Sequence, residues 1–123
     1  MRREQGDACR LYWGCDEQVV TGLALGAHGA VGSTYNFAMP IYRRLQAAFE
    51  RGDHDEVQRL QSYAALLVER LAAHGYMAAA KATMRYLGVD VGSVRAPLKP
   101  LPDGAEAAVG AALDELELRR HLA

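Results

Sequence analysis

Two stretches of sequence determine the fold class of this 123-residue chain: CRLYWGCDE at residues 9–17 and GAVGSTYN at residues 29–36. Each opens with a short, mostly apolar segment typical of a β-strand, over 9–13 and 29–32, and continues into residues that can bind a polar ligand. The intervening segment has helical spacing, with one face formed by Val20, Leu23 and Ala24. Strand, helix and strand make the parallel-sheet unit, in which ligands bind just beyond the carboxyl ends of the strands. We therefore expect both polar segments to lie at one site.

In this order and spacing, the two stretches resemble the last two barrel strands of the pyruvate-dependent class I aldolases. This is the family of dihydrodipicolinate synthase and N-acetylneuraminate lyase, and GSTYN at residues 32–36 favours the lyase branch. The resemblance extends over about 2–101 and includes AKA at 80–82 and YLG at 86–88, which both branches share. It implies an α/β fold: the carboxy-terminal fragment of a (β/α)8 TIM barrel, comprising the last two βα units, followed by a three-helix extension.

The length of the chain limits how much of such a barrel it can form. A closed (β/α)8 barrel takes roughly 250 residues, and the sequence has a counterpart only for the carboxy-terminal portion of the family. We expect residues 1–52 to form the last two βα units and residues 53–123 to form the helical extension, together making one incomplete domain.

Helix signals follow the second strand. Residues after Asn36 have an apolar stripe, Pro40 suits a first helical turn, and Gly52 is placed as a stop. Asp53 with Glu56 resembles a capping box for a helix that ends near residue 75, and a shorter helix follows over about 77–87. After the proline-containing connector 89–102, a last helix is expected to start at Asp103. The side chains expected in the core are Ile41, Leu45, Ala48, Phe49, Val57, Leu60, Ala64, Leu67, Val68, Leu71, Val109, Ala112, Leu113 and Leu116.

Composition argues against several classes of function. The net charge of −1 disfavours electrostatic binding of nucleic acid or of an anionic membrane. No apolar run approaches the roughly 20 residues of a membrane span, and no secretory signal follows Met1. Two cysteines indicate a reduced compartment, so a cytoplasmic location is expected. The four histidines are scattered without ligand spacing, so no metal site is predicted.

The predicted substrate-binding residues are Gly14, Asp16, Glu17, Gly32 and Ser33. Taken alone, Asp16 and Glu17 suit a helix N-terminal cap, and Ser33 and Thr34 suit the same role for the next helix. The resemblance favours function instead. It implies that the two carboxylates accept hydrogen bonds from substrate hydroxyls, and that Gly32 lets the backbone approach the ligand closely.

No catalytic residue is predicted within this chain. The family's chemistry is a lysine Schiff base, but the resemblance places that lysine on the sixth strand and the proton-shuttling tyrosine on the fifth. Lys81 falls in a helix after the barrel and Lys99 in the connector, so both are interpreted as structural. Tyr35 does not correspond to the family's tyrosine.

Three hypotheses remain open at this point. The first is part of an N-acetylneuraminate lyase, which by resemblance cleaves N-acetylneuraminate reversibly to N-acetylmannosamine and pyruvate without metal or organic cofactor. The second is a sister aldolase acting on another 2-keto acid, and the third is a non-enzymatic gene relic. The resemblance further implies a small-molecule substrate and, for a complete chain, a homo-oligomer, a tetramer in this family. The isolated chain is expected to be inactive and to self-associate.

Overall fold

A computed structural model describes residues 9–123, which begin with two short parallel strands. Strand β1 (Tyr12–Trp13) pairs with β2 (Gly29–Ala30), so that Tyr12 aligns with Gly29 and Trp13 with Ala30. The predicted parallel pairing is confirmed. Both strands are shorter than the predicted 9–13 and 29–32. Only two residues of each strand pair with the other strand.

The connection between the strands is helical, as predicted. A 3-10 turn (Asp16–Gln18) leads into α1 (Val19–Ala24). Val19 and Gly22 form the buried side of α1, and Val20 and Leu23 of the predicted stripe are partly buried and pack against the core. Ala24 is exposed, so its predicted place on the stripe is wrong. Gly22 lies against the strand it crosses, since a Cβ there would lie 2.5 Å from Cγ of Trp13.

Helix α2 (Tyr35–Arg51) begins immediately beyond β2 and changes direction within its first turn. The change occurs at Ala38 (φ −125°, ψ 18°), two residues before Pro40. A proline has no N–H to donate, and its ring crowds the preceding turn, so the regular helix starts around it. The predicted stop is confirmed at Gly52, which has a left-handed φ of 71°.

Helix α3 (His54–Ala72) begins at the predicted cap. The Asp53 carboxylate accepts a hydrogen bond from the Glu56 N–H at 3.2 Å. The reciprocal half of a capping box is replaced, because the Glu56 side chain accepts hydrogen bonds from Arg59 and Arg44. The predicted apolar face is buried, namely Val57, Leu60, Ala64, Leu67, Val68 and Leu71.

Helix α4 (Tyr76–Tyr86) is followed by an irregular connector that is tied back to it. Lys81 Nζ donates to the Val91 carbonyl at 2.8 Å, and Arg85 donates to the Gly92 carbonyl at 3.1 Å. Arg85 also forms two hydrogen bonds with the carboxylate of Glu106. The connector is therefore held against α4 by side chains.

The last predicted helix is two helices, α5 (Ala105–Glu115) and α6 (Leu118–Leu122). Helix α5 starts two residues after the expected Asp103. Glu106 pairs with Arg85, and no side chain caps the helix at Gly104. The break lies at Glu117, which has a positive φ of 50°. Just before it, the Leu116 carbonyl accepts a hydrogen bond from the Tyr63 hydroxyl at 3.0 Å, so a side chain satisfies the end of α5.

One apolar core joins the strand–helix segment to the helical extension. Its fully buried large side chains come from α2, α3, α5 and α6, namely Ile41, Leu45, Leu60, Leu67, Leu71, Val109, Leu113 and Leu118. Gln61 on α3 reinforces this junction, because its amide accepts from Val20 N–H and donates to the Asp16 carbonyl. Within residues 9–123, none of the helices combines the length and apolar character needed to cross a bilayer.

Candidate functional site

The loops that follow β1 and β2 are joined by a buried carboxylate. Asp16 is only 6 % exposed, and its Oδ2 accepts hydrogen bonds from the Thr34 N–H at 3.1 Å and the Thr34 Oγ1–H at 2.5 Å. Thr34 Oγ1 also forms a 2.7 Å hydrogen bond with the hydroxyl of Tyr42 on α2. Neither Asp16 nor Thr34 caps a helix with its side chain. The two residues thus fix the loops to each other.

Gly32 permits this arrangement through its small size. A Cβ at Gly32 would lie 1.6 Å from Oδ1 of Asp16, far inside contact distance. The group that approaches Gly32 closely is therefore the Asp16 carboxylate, whereas the sequence led us to expect a ligand there.

Two tyrosines on α2 surround the buried carboxylate. Burial, followed by the charge of Asp16, raises the pKa of Tyr35, and burial also raises the pKa of Tyr42. The two rings meet edge to face, 4.5 Å apart between centroids. Among the buried side-chain nitrogen and oxygen atoms of residues 9–123, Asp16 Oδ1 and the Tyr35 hydroxyl oxygen are the two without a hydrogen-bond partner. Both phenols stay protonated at neutral pH.

All five predicted site residues line one open depression of about 700 Å³. The two loops contribute Glu17 and Ser33 to its lining, and α3 and the start of α4 contribute Val68, Ala72 and Tyr76. The lining residues are Gly14, Asp16, Glu17, Val31, Gly32, Ser33, Asn36, Val68, Ala72 and Tyr76. Residues from the two loops, which the sequence predicted to meet, are therefore brought together.

The carboxylate that faces solvent at this depression belongs to Glu17. Glu17 is exposed, and its Oε2 lies 3.4 Å from the Sγ of Cys15. Burial and the neighbouring Glu17 raise the pKa of the Cys15 thiol. Because the thiol stays protonated, Cys15 is a poor nucleophile. Glu17 and Ser33 provide the depression with hydrogen-bonding groups.

A sequence profile of the dihydrodipicolinate synthetase family matches residues 1–116. The chain belongs to this family. The N-acetylneuraminate lyase of Lactiplantibacillus plantarum is 37% identical over 91 residues, which are 73% of this chain and 31% of the relative. The 4-hydroxy-tetrahydrodipicolinate synthase 1 of Streptomyces coelicolor is 38% identical over 107 residues, or 85% of this chain and 35% of the relative.

Structural comparison agrees with the family assignment. The structure of Proteus mirabilis N-acetylneuraminate lyase superimposes with a TM-score of 0.88 at 37% identity, covering 95% of this chain and 40% of that protein. The predicted fold class is confirmed: the chain is a carboxy-terminal portion of a TIM-barrel member of the dihydrodipicolinate synthetase family, with a helical extension. It spans about a third of the length of the curated relatives.

Three residues of the helical extension also line the depression, and the sequence did not predict them as site residues. Val68, Ala72 and Tyr76 follow one another at intervals of four along α3 and into α4, and all three line the depression. The Tyr76 hydroxyl lies 2.7 Å from Ser33 Oγ. Four-residue spacing signals a shared helix face, but nothing in it indicates that the face covers loops some 40 residues earlier.

The lysines lie elsewhere. Lys81 is bonded to the connector, and neither Lys81 nor Lys99 lines the depression. Within residues 9–123 there is no group of three or more metal-ligating side chains. A separate, largely apolar cavity of about 290 Å³ between Trp13, α1 and α2 contains none of the predicted site residues.

Proposed function

We propose that the depression beyond β1 and β2 binds the sugar portion of the substrate of an N-acetylneuraminate lyase. The observation that carries the proposal is that Gly14, Asp16, Glu17, Gly32 and Ser33, chosen from two separate stretches of sequence, line one depression. The lyases of L. plantarum and P. mirabilis, at 37% identity to this chain, support the choice of substrate.

The depression offers the hydrogen-bonding groups that a polyhydroxylated ligand needs. Glu17 supplies carboxylate acceptors for ligand hydroxyls, and such charge-assisted bonds are the stronger ones. Ser33 supplies a hydroxyl, which both donates and accepts. Asp16 contributes by holding the two loops together, because its Oδ2 is already bonded to Thr34.

In the complete enzyme, the proposed reaction is the reversible cleavage of N-acetylneuraminate to N-acetylmannosamine and pyruvate. The family chemistry implied by the resemblance is a Schiff base between a lysine amine and the keto acid, which acts as electron sink for the carbon–carbon cleavage. That lysine belongs to a strand other than β1 and β2. Accordingly, the proposal for this chain is recognition of substrate. Assembly as a homo-oligomer and a cytoplasmic location are part of the same proposal.

A sister aldolase is the second candidate. The synthase of S. coelicolor is 38% identical to this chain, as similar as the lyase of L. plantarum. The same acceptor and hydroxyl groups would then bind a different 2-keto acid substrate. A gene relic without activity is the third.

The first experiment is an assay of the isolated chain. Purified protein is expected to release no pyruvate from N-acetylneuraminate in a lactate dehydrogenase-coupled assay, because neither Lys81 nor Lys99 lines the depression. Pyruvate release together with borohydride trapping of pyruvate on either lysine contradicts this.

The decisive experiment is a chimaera. The 91-residue matching stretch of the L. plantarum lyase is replaced by the corresponding stretch of this chain, and kcat/KM is measured for N-acetylneuraminate and for other 2-keto acids. We expect lyase activity that falls about tenfold or more in Glu17→Gln, since a hydrogen bond to a charged group contributes about 1.5–3 kcal/mol. Glu115→Gln, on the exposed side of α5, is the matched control.

The outcomes separate the candidates. Preference for another 2-keto acid favours the sister aldolase. A folded chimaera with no activity on any of them supports the relic.

A further inference from the structure

Tyr76 brings a hydroxyl group from the helical extension to the depression. It is the first residue of α4, lines the depression, and forms a 2.7 Å hydrogen bond with Ser33 Oγ at the end of β2. The two residues are 43 positions apart in the sequence. A phenylalanine at this position would fill the same wall without adding a polar group, so the hydroxyl itself needs an explanation.

The hydroxyl pair has one donor left over. Ser33 and Tyr76 each carry one O–H hydrogen, and the bond between them uses one of the two, whichever residue donates. The other hydrogen remains available to an acceptor in the depression. A ligand that binds against this pair therefore needs an oxygen atom with a free lone pair.

The surroundings keep the phenol in its donor form. Burial raises the pKa of Tyr76, and the negative charges of Asp16 and Glu17 raise it further, against the opposing effect of the Ser33 hydrogen bond. Glu17 lines the same depression and offers only acceptors. The depression thus pairs an acceptor at Glu17 with a hydroxyl donor at Ser33 and Tyr76, and Val68 and Ala72 form an apolar wall beside them.

We propose that Tyr76 is a specificity-determining residue, which acts with Ser33 to bind one particular oxygen atom of a hydroxylated sugar. The inference rests on the proposed function and adds to it a residue and a selection rule. A sugar that lacks that oxygen leaves a polar pair without its partner, and sites built to hydrogen-bond a substrate hydroxyl discriminate strongly against the deoxy analogue.

The test measures binding to the full 123-residue chain. The ligands are N-acetylmannosamine and its set of mono-deoxy analogues, with dissociation constants taken from ligand-observed NMR titrations. For the wild-type chain we expect one deoxy analogue to bind about tenfold more weakly than the parent sugar. In Tyr76→Phe, the parent sugar weakens to the level of that analogue and the discrimination disappears.

Three variants make the result specific. Ser33→Ala should lose the same discrimination, and the double variant with Tyr76→Phe should show no further loss, since both remove one shared interaction. Tyr63→Phe is the matched control, because it removes a hydrogen-bonded tyrosine hydroxyl from a residue that does not line the depression. Circular dichroism and thermal midpoints report whether each variant folds.

Failure of the inference differs from failure of the proposed function. If the wild-type chain binds the sugar and Glu17→Gln weakens binding, but Tyr76→Phe keeps the full discrimination, the role of Tyr76 is refuted alone. An equal loss for all ligands in Tyr76→Phe also refutes it, since that pattern indicates a merely structural role. A wild-type chain that binds no sugar overturns both proposals.

Discussion

Oδ2 of Asp16 accepts hydrogen bonds from both the backbone N–H and the hydroxyl of Thr34, across 18 positions of sequence. This pair closes the loop after β1 onto the loop after β2. Because Asp16 is almost fully buried, the carboxylate has lost most of its hydration and depends on Thr34 in its place.

Removing the Thr34 hydroxyl should therefore destabilise the fold. Thr34→Val keeps the shape of the side chain but leaves Asp16 Oδ2 with the N–H alone and takes the partner from Tyr42. We expect a loss of about 1–3 kcal/mol in the free energy of unfolding, measured by urea denaturation. The exposed Thr21→Val in α1 is the control and should stay within about 0.5 kcal/mol. Equal midpoints for the two variants would show that the hydroxyl contributes nothing.

The contact at Gly32 predicts a second loss of stability. In Gly32→Ala the new methyl group would overlap Oδ1 of Asp16, and we expect a cost of about 1–3 kcal/mol for the displacement. Gly14→Ala is the control, because a Cβ there meets nothing within 4 Å.

The same contact predicts non-additivity. In an Asp16→Ala background the overlap is gone, so Gly32→Ala should cost much less than it does in the wild-type chain. Additive effects in thermal or urea unfolding would place the source of strain elsewhere.

His121 should make stability depend on pH near neutrality. Burial, and then the positive charges of Arg44 and Arg59, lower the pKa of His121, whose ring lies 4.0 Å from that of Tyr63. The unfolded chain then binds more protons than the folded chain at pH values between the two pKa values. The stability contribution is complete above the ordinary histidine pKa, and it declines as pH falls through that value toward the lowered pKa.

The measurement is a series of urea denaturation curves from pH 8 to pH 5. The wild-type midpoint should fall over this range, and His121→Gln should flatten the dependence even if it lowers stability overall. Nearby charged groups that stay in place are Arg44, Arg59, Glu117 and Arg120. The exposed Thr21→Val, which removes no titrating group, should keep the wild-type slope. An unchanged slope in His121→Gln assigns the titration to another group.

The two-stranded sheet should drive self-association of the isolated chain. Unpaired strand edges and exposed apolar side chains invite pairing with another copy, and Tyr12 and Val31 are 58% and 67% exposed at the sheet. We expect concentration-dependent oligomers in sedimentation velocity, and a shift toward monomer in Val31→Lys. Leu25→Lys, which is equally exposed but lies at the end of α1, is the control. A wild-type chain that sediments as a single monomer at all concentrations is the contrary result.

Local signals in the sequence predicted much of this fold, and the failures have a common cause. Gly52 and Asp53 end one helix and start the next through contacts within a few residues, and both were predicted. The break at Glu117 was not, because it carries no glycine and depends on Tyr63, 53 positions from the carbonyl that it satisfies. Asp103 suits a cap, yet Glu106 pairs with Arg85 from another helix.

The site follows the same rule. The two stretches that resemble the family predicted that Gly14, Glu17 and Ser33 would lie close together, since parallel strands end at a common edge. All three residues line one depression. The inward turn of Asp16 toward Thr34 and the arrival of Tyr76 are tertiary contacts, over 18 and 43 positions. Spacing along the chain carries no information about either.

Gln61 links the two segments that meet at residue 52, the strand–helix segment and the helical extension. The Gln61 side-chain amide accepts a hydrogen bond from Val20 N–H and donates one to the Asp16 carbonyl. Helix α3 therefore completes the hydrogen bonding of the loop after β1. Opening α3 exposes that loop to water, and backbone amides on both sides of the boundary should exchange with deuterium in one cooperative step. Recombination that replaced the extension alone would strip two polar groups of their partner. Segments 9–52 and 53–123 are therefore expected to pass between relatives as a single piece.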